Sequence, residues 1–409
     1  MAESWAGREV VVDVERVAHG GHCVARHEGR VLFVRHTLPG ERVRALVTED
    51  GGGSFCRADA VEVLRASPDR VAAPCRYARP GGCGGCDWQH VDPAAQRRLK
   101  QAVVTEQLQR LAGLDVDVRV EEVAPAPLHW RTRMQYAVDG ERLGLRAHRS
   151  HDVIEIDSCP IAVPEVDAPV ARERAVPGAV TIEVEAADDG AIAVSAVDAR
   201  RRRRALAGGP VRHDTGGRRY EVRTGGFWQV HVHAADVLLE AVLELADVQA
   251  GESIVDLYCG AGLFTAALAE RTGPTGRVIG VEGTASAVRD GRRNVSDLRQ
   301  CEIVRGSIDA RTVDGFTHPV DVVVLDPPRA GAKRPLVEAI CRLDARAVVY
   351  VACDPAALAR DVAAFAGCGW RLERLRAFDL FPMTQHVECV ALLVPEPGGA
   401  PPPAGGPLA

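Results

Sequence analysis

A chain of 409 residues, 46% hydrophobic and 26% charged, is long enough for several packed domains and too apolar for an intrinsically disordered polymer. Its net charge of −6 excludes a global positive field that gathers polyanions, so nucleic-acid contact falls to local basic patches, built almost wholly from arginine because Lys100 and Lys333 are the only lysines. No stretch approaches the roughly 20 uninterrupted apolar residues of a membrane span, and the N-terminus lacks a basic region leading into an apolar one, which together predict a cytoplasmic protein with no membrane partner.

Residues 9–66 read as short β-strands, Glu9–Val14, Arg30–Val34 and Arg42–Thr48, punctuated by Gly20-Gly21, Pro39-Gly40-Glu41 and Gly51-Gly52-Gly53. This predicts a small β-barrel domain over 1–66. From 67 the composition turns to Cys, Gly and Pro. Cys75, Cys83 and Cys86 crowd one loop whose glycines permit sharp turns, and Cys159 follows. In a reducing cytosol such cysteines serve as ligands rather than disulfides, and four thiolates complete one metal centre; the spacing itself admits either zinc or an iron–sulfur cluster.

Leu99, Val103, Leu108 and Leu111 recur at helical spacing, which predicts a helix over Pro93–Leu111. Strand-like runs follow at Val180–Val184 and Ala191–Val197, so 67–225 reads as a central α+β domain. Within it, Trp130-Arg131-Thr132-Arg133 joins an aromatic to cations, a surface suited to stacking and phosphate contact, with Trp130 as a core residue the competing reading. The basic run Arg200–Arg204 fits a solvated loop and an RNA contact equally well.

From about 235, strands and helices alternate: Ser253–Leu257, Leu263–Glu270, Val278–Val281, Ser286–Val295, Glu302–Arg305, Val320–Leu325, Pro335–Leu343, Ala347–Ala352, Ala356–Ala366 and Cys389–Val394. Continuous apolar strands in such alternation predict a parallel, Rossmann-like sheet covered on both faces over 226–395. Residues 396–409, rich in Pro, Gly and Ala, predict a disordered tail.

Chemistry-bearing groups gather at the predicted strand ends. Asp256-Leu257-Tyr258-Cys259-Gly260-Ala261-Gly262 carries a strand through a glycine turn into a helix, and the next strand ends on Glu282, placed to accept hydrogen bonds from ribose hydroxyls. Asp256 and Asp326 suit a cationic ligand better than a phosphate. Cys353 stands where a buried strand stops and Pro355 starts a helix, a setting expected to lower a thiol pKa and expose a nucleophile. Glu388 opens the last strand. A thiolate that adds to carbon 6 of uridine activates carbon 5, and a base must later remove the carbon 5 proton; Cys353 and Glu388 match those two needs.

The segments Phe227-Trp228-Gln229-Val230-His231, Asp256 to Phe264, Asp326 to Gly331, Cys353-Asp354-Pro355 and Phe381 to Glu388 resemble, in that order, motifs of the bacterial RNA 5-methyluridine methyltransferases that carry an N-terminal TRAM domain and act on 23S rRNA or tRNA. The resemblance spans about residues 8–394. It implies a multidomain α/β protein: an OB-like TRAM barrel that binds RNA, a central α+β domain with a cysteine cluster, and a class I methyltransferase domain. It further implies that Gln229, Tyr258, Gly260, Glu282 and Asp326 contact S-adenosylmethionine alongside Asp256, that Cys353 is the nucleophile and Glu388 the base, and that Cys75, Cys83, Cys86 and Cys159 hold a structural [4Fe–4S] cluster rather than zinc. The expected partner is a loop uridine in RNA, ribosomal more than transfer, with Arg131, Arg133 and Arg329 as candidate RNA contacts.

This chain departs from the family pattern at Asp354, where Asn is common, at Pro328, where Ala is common, and at His231, where Asn is common; its first cysteine interval is also longer. Competing readings are methylation of an exocyclic amine, with Asp326-Pro327-Pro328 holding the amino group, and a non-catalytic RNA-binding or assembly protein.

Overall fold

Along β1 (Glu9–Val17) buried and exposed side chains alternate, sending Val10, Val12 and Val14 inward. With β2 (Cys23–His27), β3 (Arg30–Arg35), β4 (Arg42–Glu49) and β5 (Phe55–Arg65) it closes a barrel in the order β1-β2-β3-β5-β4. Closure needs β5 to run parallel to β3 and antiparallel to β4. In this computed structural model residues 4–173 and 176–397 are described, and the tail expected at 396–409 lies outside them beyond Pro397.

Helix α1 (Pro93–Ala112) starts where Asp92 accepts from the backbone nitrogens of Ala94 and Ala95, with proline at the first position, and stops at Gly113, whose φ is 68°. After β6 (Val120–Glu122) come β7 (Arg133–Asp139), β8 (Arg142–Arg146), β9 (Val153–Glu155), the short α2 (Ala168–Arg172), β10 (Ala179–Ala186), β11 (Ile192–Asp198) and β12 (Arg203–Ala207). Six of these strands form one antiparallel sheet, β12-β11-β10-β7-β8-β9. The hairpin of β13 (Val211–Thr215) and β14 (Arg218–Val222) leads to the C-terminal unit.

That unit contains α3 (Ala234–Ala246), β15 (Ser253–Leu257), α4 (Leu263–Thr272), β16 (Arg277–Glu282), α5 (Ala285–Asn294), β17 (Cys301–Arg305), α6 (Ala310–Asp314), β18 (Val322–Leu325), α7 (Arg334–Cys341), β19 (Ala347–Ala352), α8 (Pro355–Ala366), β20 (Trp370–Asp379) and β21 (Glu388–Pro395). Its sheet runs β17-β16-β15-β18-β19-β21-β20-β6. Val255 and Leu257 of β15 pack into one face while Ile254 packs into the other, so both faces are covered by apolar layers.

The expectation of a wholly parallel sheet needs correction. β21 is antiparallel to β19 and to β20, and β6, contributed from far upstream, adds parallel to β20. β20 escapes a sequence reading because arginine and glutamate fill much of Trp370–Leu375, a pattern that mimics a solvated loop; α3 is missing from the predicted elements although Leu238, Leu239, Val242 and Leu245 recur at helical spacing. The reversal at β21 matters for chemistry. Ala352 pairs with Cys389, so the residues one step beyond, Cys353 and Glu388, come to face each other at the same sheet edge.

Candidate active site

The turn after β15 is tightly coiled: Tyr258, Gly260 and Gly262 have φ of 65°, 55° and 88°. Glu282, at the end of β16, accepts from the Gly260 nitrogen at 3.2 Å and from the Thr284 nitrogen at 2.6 Å, which fixes its carboxylate beside the turn. Asp256 is fully buried; Thr265 donates to one of its oxygens at 2.5 Å and the other oxygen has no partner. Burial pushes the Asp256 carboxyl up to about 7, with repulsion from Asp326 and Glu282 adding to it, and burial pushes Asp326 up to about 7 as well.

An orphaned buried oxygen, two further carboxylates and a glycine-lined turn fit the adenosyl cofactor, whose sulfonium offsets the crowded negative charge. Gln229 is half-buried in the segment before α3, sharing a small pocket with Arg133, Glu185 and Trp228. Thr265 was not foreseen as part of this cradle, although its place on the helix opened by the glycine turn is the signal that marks it.

Cys353 and Glu388 meet from β19 and β21, as the register requires. Glu388 is buried with one carboxyl oxygen unpartnered, and burial followed by Asp326 raises its pKa well above the usual carboxylate range, against the opposing Arg329. The expectation of a lowered Cys353 pKa is overturned. Burial first, then Glu388 and Asp326, push the thiol up to about 12, and Arg329 offsets only part of this. A helix N-terminus acts on the thiol, but desolvation and a ring of carboxyl groups act more strongly.

The base loop between β20 and β21 is held from outside. Met383, at φ 68°, offers its carbonyl to the Asp87 and Trp88 nitrogens at 3.1 and 3.0 Å, and its own nitrogen donates to Gln96 of α1 at 2.8 Å. The Gln385 nitrogen donates to Asp87 at 3.2 Å, and Lys100 reaches Asp379 at 2.5 Å and the Phe381 carbonyl at 3.0 Å. None of these clamps is readable from sequence, since their partners are separated by up to 298 positions.

Cys75, Cys83, Cys86 and Cys159 are all free thiols and line one cavity of about 410 Å³ together with Arg131 and His148. Among the described residues no group of three or more His, Cys, Asp or Glu is gathered to hold a single metal ion. The Gly85 nitrogen and Gln89 Nε2 donate to Cys83 and Cys86 sulfurs at 3.4 and 3.3 Å, contacts that offset only part of the burial that raises both thiols. A Cβ on Gly84 would stand 2.6 Å from the His148 backbone nitrogen, so only glycine lets this loop close on the strand end.

The candidate RNA contacts separate. Arg131 is drawn inward, donating to the Arg133 carbonyl at 2.9 Å, and Arg133 lies 3.4 Å from Glu185 and 2.6 Å from the Gly226 carbonyl. Both are committed to internal partners because Trp130, fully buried, pulls the segment into the core. Arg329 is exposed at the site and contacts His386 at 3.1 Å. In the arginine run, Arg203 pairs with Glu183 at 2.7 Å and Arg202 with Asp198 at 2.7 Å.

Residues 213–395 match the tRNA (uracil-5-)-methyltransferase family and residues 4–60 the TRAM domain. An uncharacterized RNA methyltransferase of Streptomyces avermitilis is 48% identical, the match covering 96% of this chain and 100% of that one. A 23S rRNA (uracil(1939)-C(5))-methyltransferase of Alkalilimnicola ehrlichii is 33% identical over 93% and 95%. The Pyrococcus abyssi tRNA (uracil-54, C5)-methyltransferase, solved with S-adenosyl-L-homocysteine, shares the fold at a TM-score of 0.72 and 24% identity, covering 94% of this chain and 99% of that one. A strand-end cradle for an adenosyl cofactor, a cysteine facing a carboxylate and an N-terminal barrel thus converge with these matches: the chain belongs to the S-adenosylmethionine-dependent RNA uracil-C5 methyltransferases.

Proposed function

We propose that the protein methylates carbon 5 of a uridine in ribosomal RNA through a covalent bond between Cys353 and carbon 6. The observation that supports this reading is the juxtaposition of Cys353 and Glu388 one step beyond the Ala352–Cys389 pair, with one Glu388 carboxyl oxygen buried and unpartnered and its basicity raised by burial. In the reaction Cys353 gives its proton to solvent and its thiolate sulfur bonds to carbon 6, pushing the carbon 5–carbon 6 π electrons into an enolate; carbon 5 then takes the methyl group; Glu388, ionised, removes the carbon 5 proton, and the carbon–sulfur bond breaks to restore the double bond and release the Cys353 thiolate. Gln229, Asp256, Tyr258, Gly260, Glu282 and Asp326 bind and orient the cofactor, which supplies the electrophilic methyl. Arg329 stands at the mouth for a phosphate or base. Reaching carbon 5 requires an unstacked uridine, which favours a loop.

Ribosomal RNA is favoured because the curated relatives at 33% and 30% identity are named for 23S rRNA. The division into 1–66, 67–225 and 226–395 is proposed as well, with α1 and β6 of the middle segment lending themselves to the C-terminal sheet. The four cysteines share one cavity and nitrogen donors face two of the sulfurs, a thiol set that would hold a [4Fe–4S] cluster. A cluster held there would fix the cysteine loop, which Asp87 and Trp88 join to the base loop at Met383.

Nucleoside analysis of separated RNA classes from a strain deleted for the gene tests the substrate. 5-methyluridine should disappear from large-subunit ribosomal RNA. Its loss from transfer RNA alone would reassign the target, and no loss from either class would contradict the reading.

A further inference from the structure

The turn from Ala18 to His22, between β1 and β2 of the barrel, is pinned by its own backbone, with the Ala18 nitrogen donating to His22 at 2.8 Å and the Gly21 nitrogen to Ala18 at 3.3 Å. Its outer side leaves the barrel and reaches the catalytic loops. His19 Nε2 lies 3.0 Å from Asp354 Oδ2, and Asp354 follows Cys353 directly. The other oxygen of the same carboxylate accepts from the Ala357 nitrogen at 2.8 Å and so caps α8. The two oxygens divide the work, one starting the helix and the other holding the barrel turn.

Two residues on, Gly21 (φ 81°) lies flat against the base loop, where a Cβ would stand 2.9 Å from Gln385 Cβ and 3.2 Å from Asp87 Cβ. The Gly21 carbonyl accepts from Trp88 Nε1 at 3.1 Å. One short turn therefore touches the nucleophile loop, the base loop and the cysteine loop. The helix cap fixes one oxygen of Asp354 and the His19 contact fixes the other, in the residue that directly follows Cys353.

We propose that His19 is a positioning residue for the methylation reaction: from the barrel it fixes Asp354, and through it the loop that aims Cys353, so that the N-terminal domain completes the catalytic pocket. This rests on Cys353 as nucleophile. The side chains of His19 and Asp354 are 36% and 22% exposed, and a pair so open to solvent adds little to folding stability, so a change in turnover is separable from a change in fold.

The test measures kcat and KM for the full chain on total RNA from a strain deleted for the gene, comparing wild type with His19→Ala, His19→Gln, Asp354→Ala and His19→Ala/Asp354→Ala, and with Cys353→Ala alongside. His19→Ala should lower kcat about five- to tenfold while both KM values stay within about twofold. His19→Gln, whose amide N–H can reach the same carboxylate oxygen, should recover at least half of the loss. The double variant should be no slower than Asp354→Ala alone, because each single change removes the same contact. Unchanged kcat, a loss confined to KM, or additive losses in the double variant would overturn the proposal. Turnover by Cys353→Ala would instead remove the nucleophile reading and His19's role with it, whereas an inactive Cys353→Ala beside a normal His19→Ala removes only the latter.

Discussion

Asp256, Glu282, Asp326 and Glu388 crowd carboxyl groups around one sheet edge, and Arg329 is the cation that opposes them at Glu388. Asp256 and Asp326, each raised to about 7 without a cationic ligand, bind a sulfonium best when ionised. Protonation below that value removes the attraction, so S-adenosylmethionine affinity should be flat above about pH 8 and fall by about tenfold per pH unit below 7 for each proton that binding displaces, as calorimetry between pH 5.5 and 8.5 will read. A neutral analogue lacking the methyl group should show a shallower slope. The thiol follows the same electrostatics. Because burial, and after it the neighbouring carboxyl groups, hold Cys353 protonated, its alkylation by iodoacetamide should be faster with S-adenosylmethionine bound than with S-adenosylhomocysteine, and equal rates would deny the sulfonium any influence on the nucleophile. The positions of Cys353 and Glu388 were legible in sequence because strand ends announce themselves by apolar runs that stop at a polar residue. The thiol's protonation was not, because it depends on burial and then on Glu388 and Asp326, which only the folded sheet brings near.

At the scale of elements, α1 acts as a brace for the base loop as well as a core helix. Its Lys100 is wholly buried against Asp379 at the end of β20, and its Gln96 binds Met383. Removing one partner of a buried pair strands the other charge, so Lys100→Met should destabilise the fold by about 3–5 kcal/mol in urea titration, with Lys100→Met/Asp379→Leu recovering much of the loss. Equal stability of wild type and the single variant would mean that water reaches Asp379. The helix itself was readable from the spacing of Leu99, Val103, Leu108 and Leu111 after Pro93, and β15 through β19 from their continuous apolar runs. β20 was not, since Arg371, Glu373, Arg374 and Arg376 interrupt the apolar pattern and pair with Glu244, Glu121 and each other across distances no local pattern encodes.

For the whole molecule, the barrel, the cysteine loop and α1 meet at the base loop of the catalytic sheet through Gly21, Asp87, Trp88, Gln96 and Lys100, and the barrel reaches the nucleophile loop through His19. Anaerobically purified protein should carry close to four irons per chain, and Cys83→Ser should lose iron and leave residues 381–388 more open to proteolysis. Zinc in place of iron would redirect the metal assignment while leaving the clamp intact. The barrel could be read from its short strands and glycine turns, but Arg131 and Arg133 could not be told from surface arginines until Trp130 and Glu185 took them inward. Among the described residues no helix is long and apolar enough to cross a membrane.

The central claim, covalent carbon 5 chemistry at Cys353, is tested most directly by incubating the protein and S-adenosylmethionine with 5-fluorouridine-substituted ribosomal RNA and mapping adducts by denaturing gel and mass spectrometry. Fluorine cannot leave as a proton, so Glu388 has nothing to remove and the intermediate should persist as methylated RNA bonded to Cys353. Cofactor-bound protein that forms no adduct on RNA it otherwise methylates, or an adduct on another residue, would contradict the account.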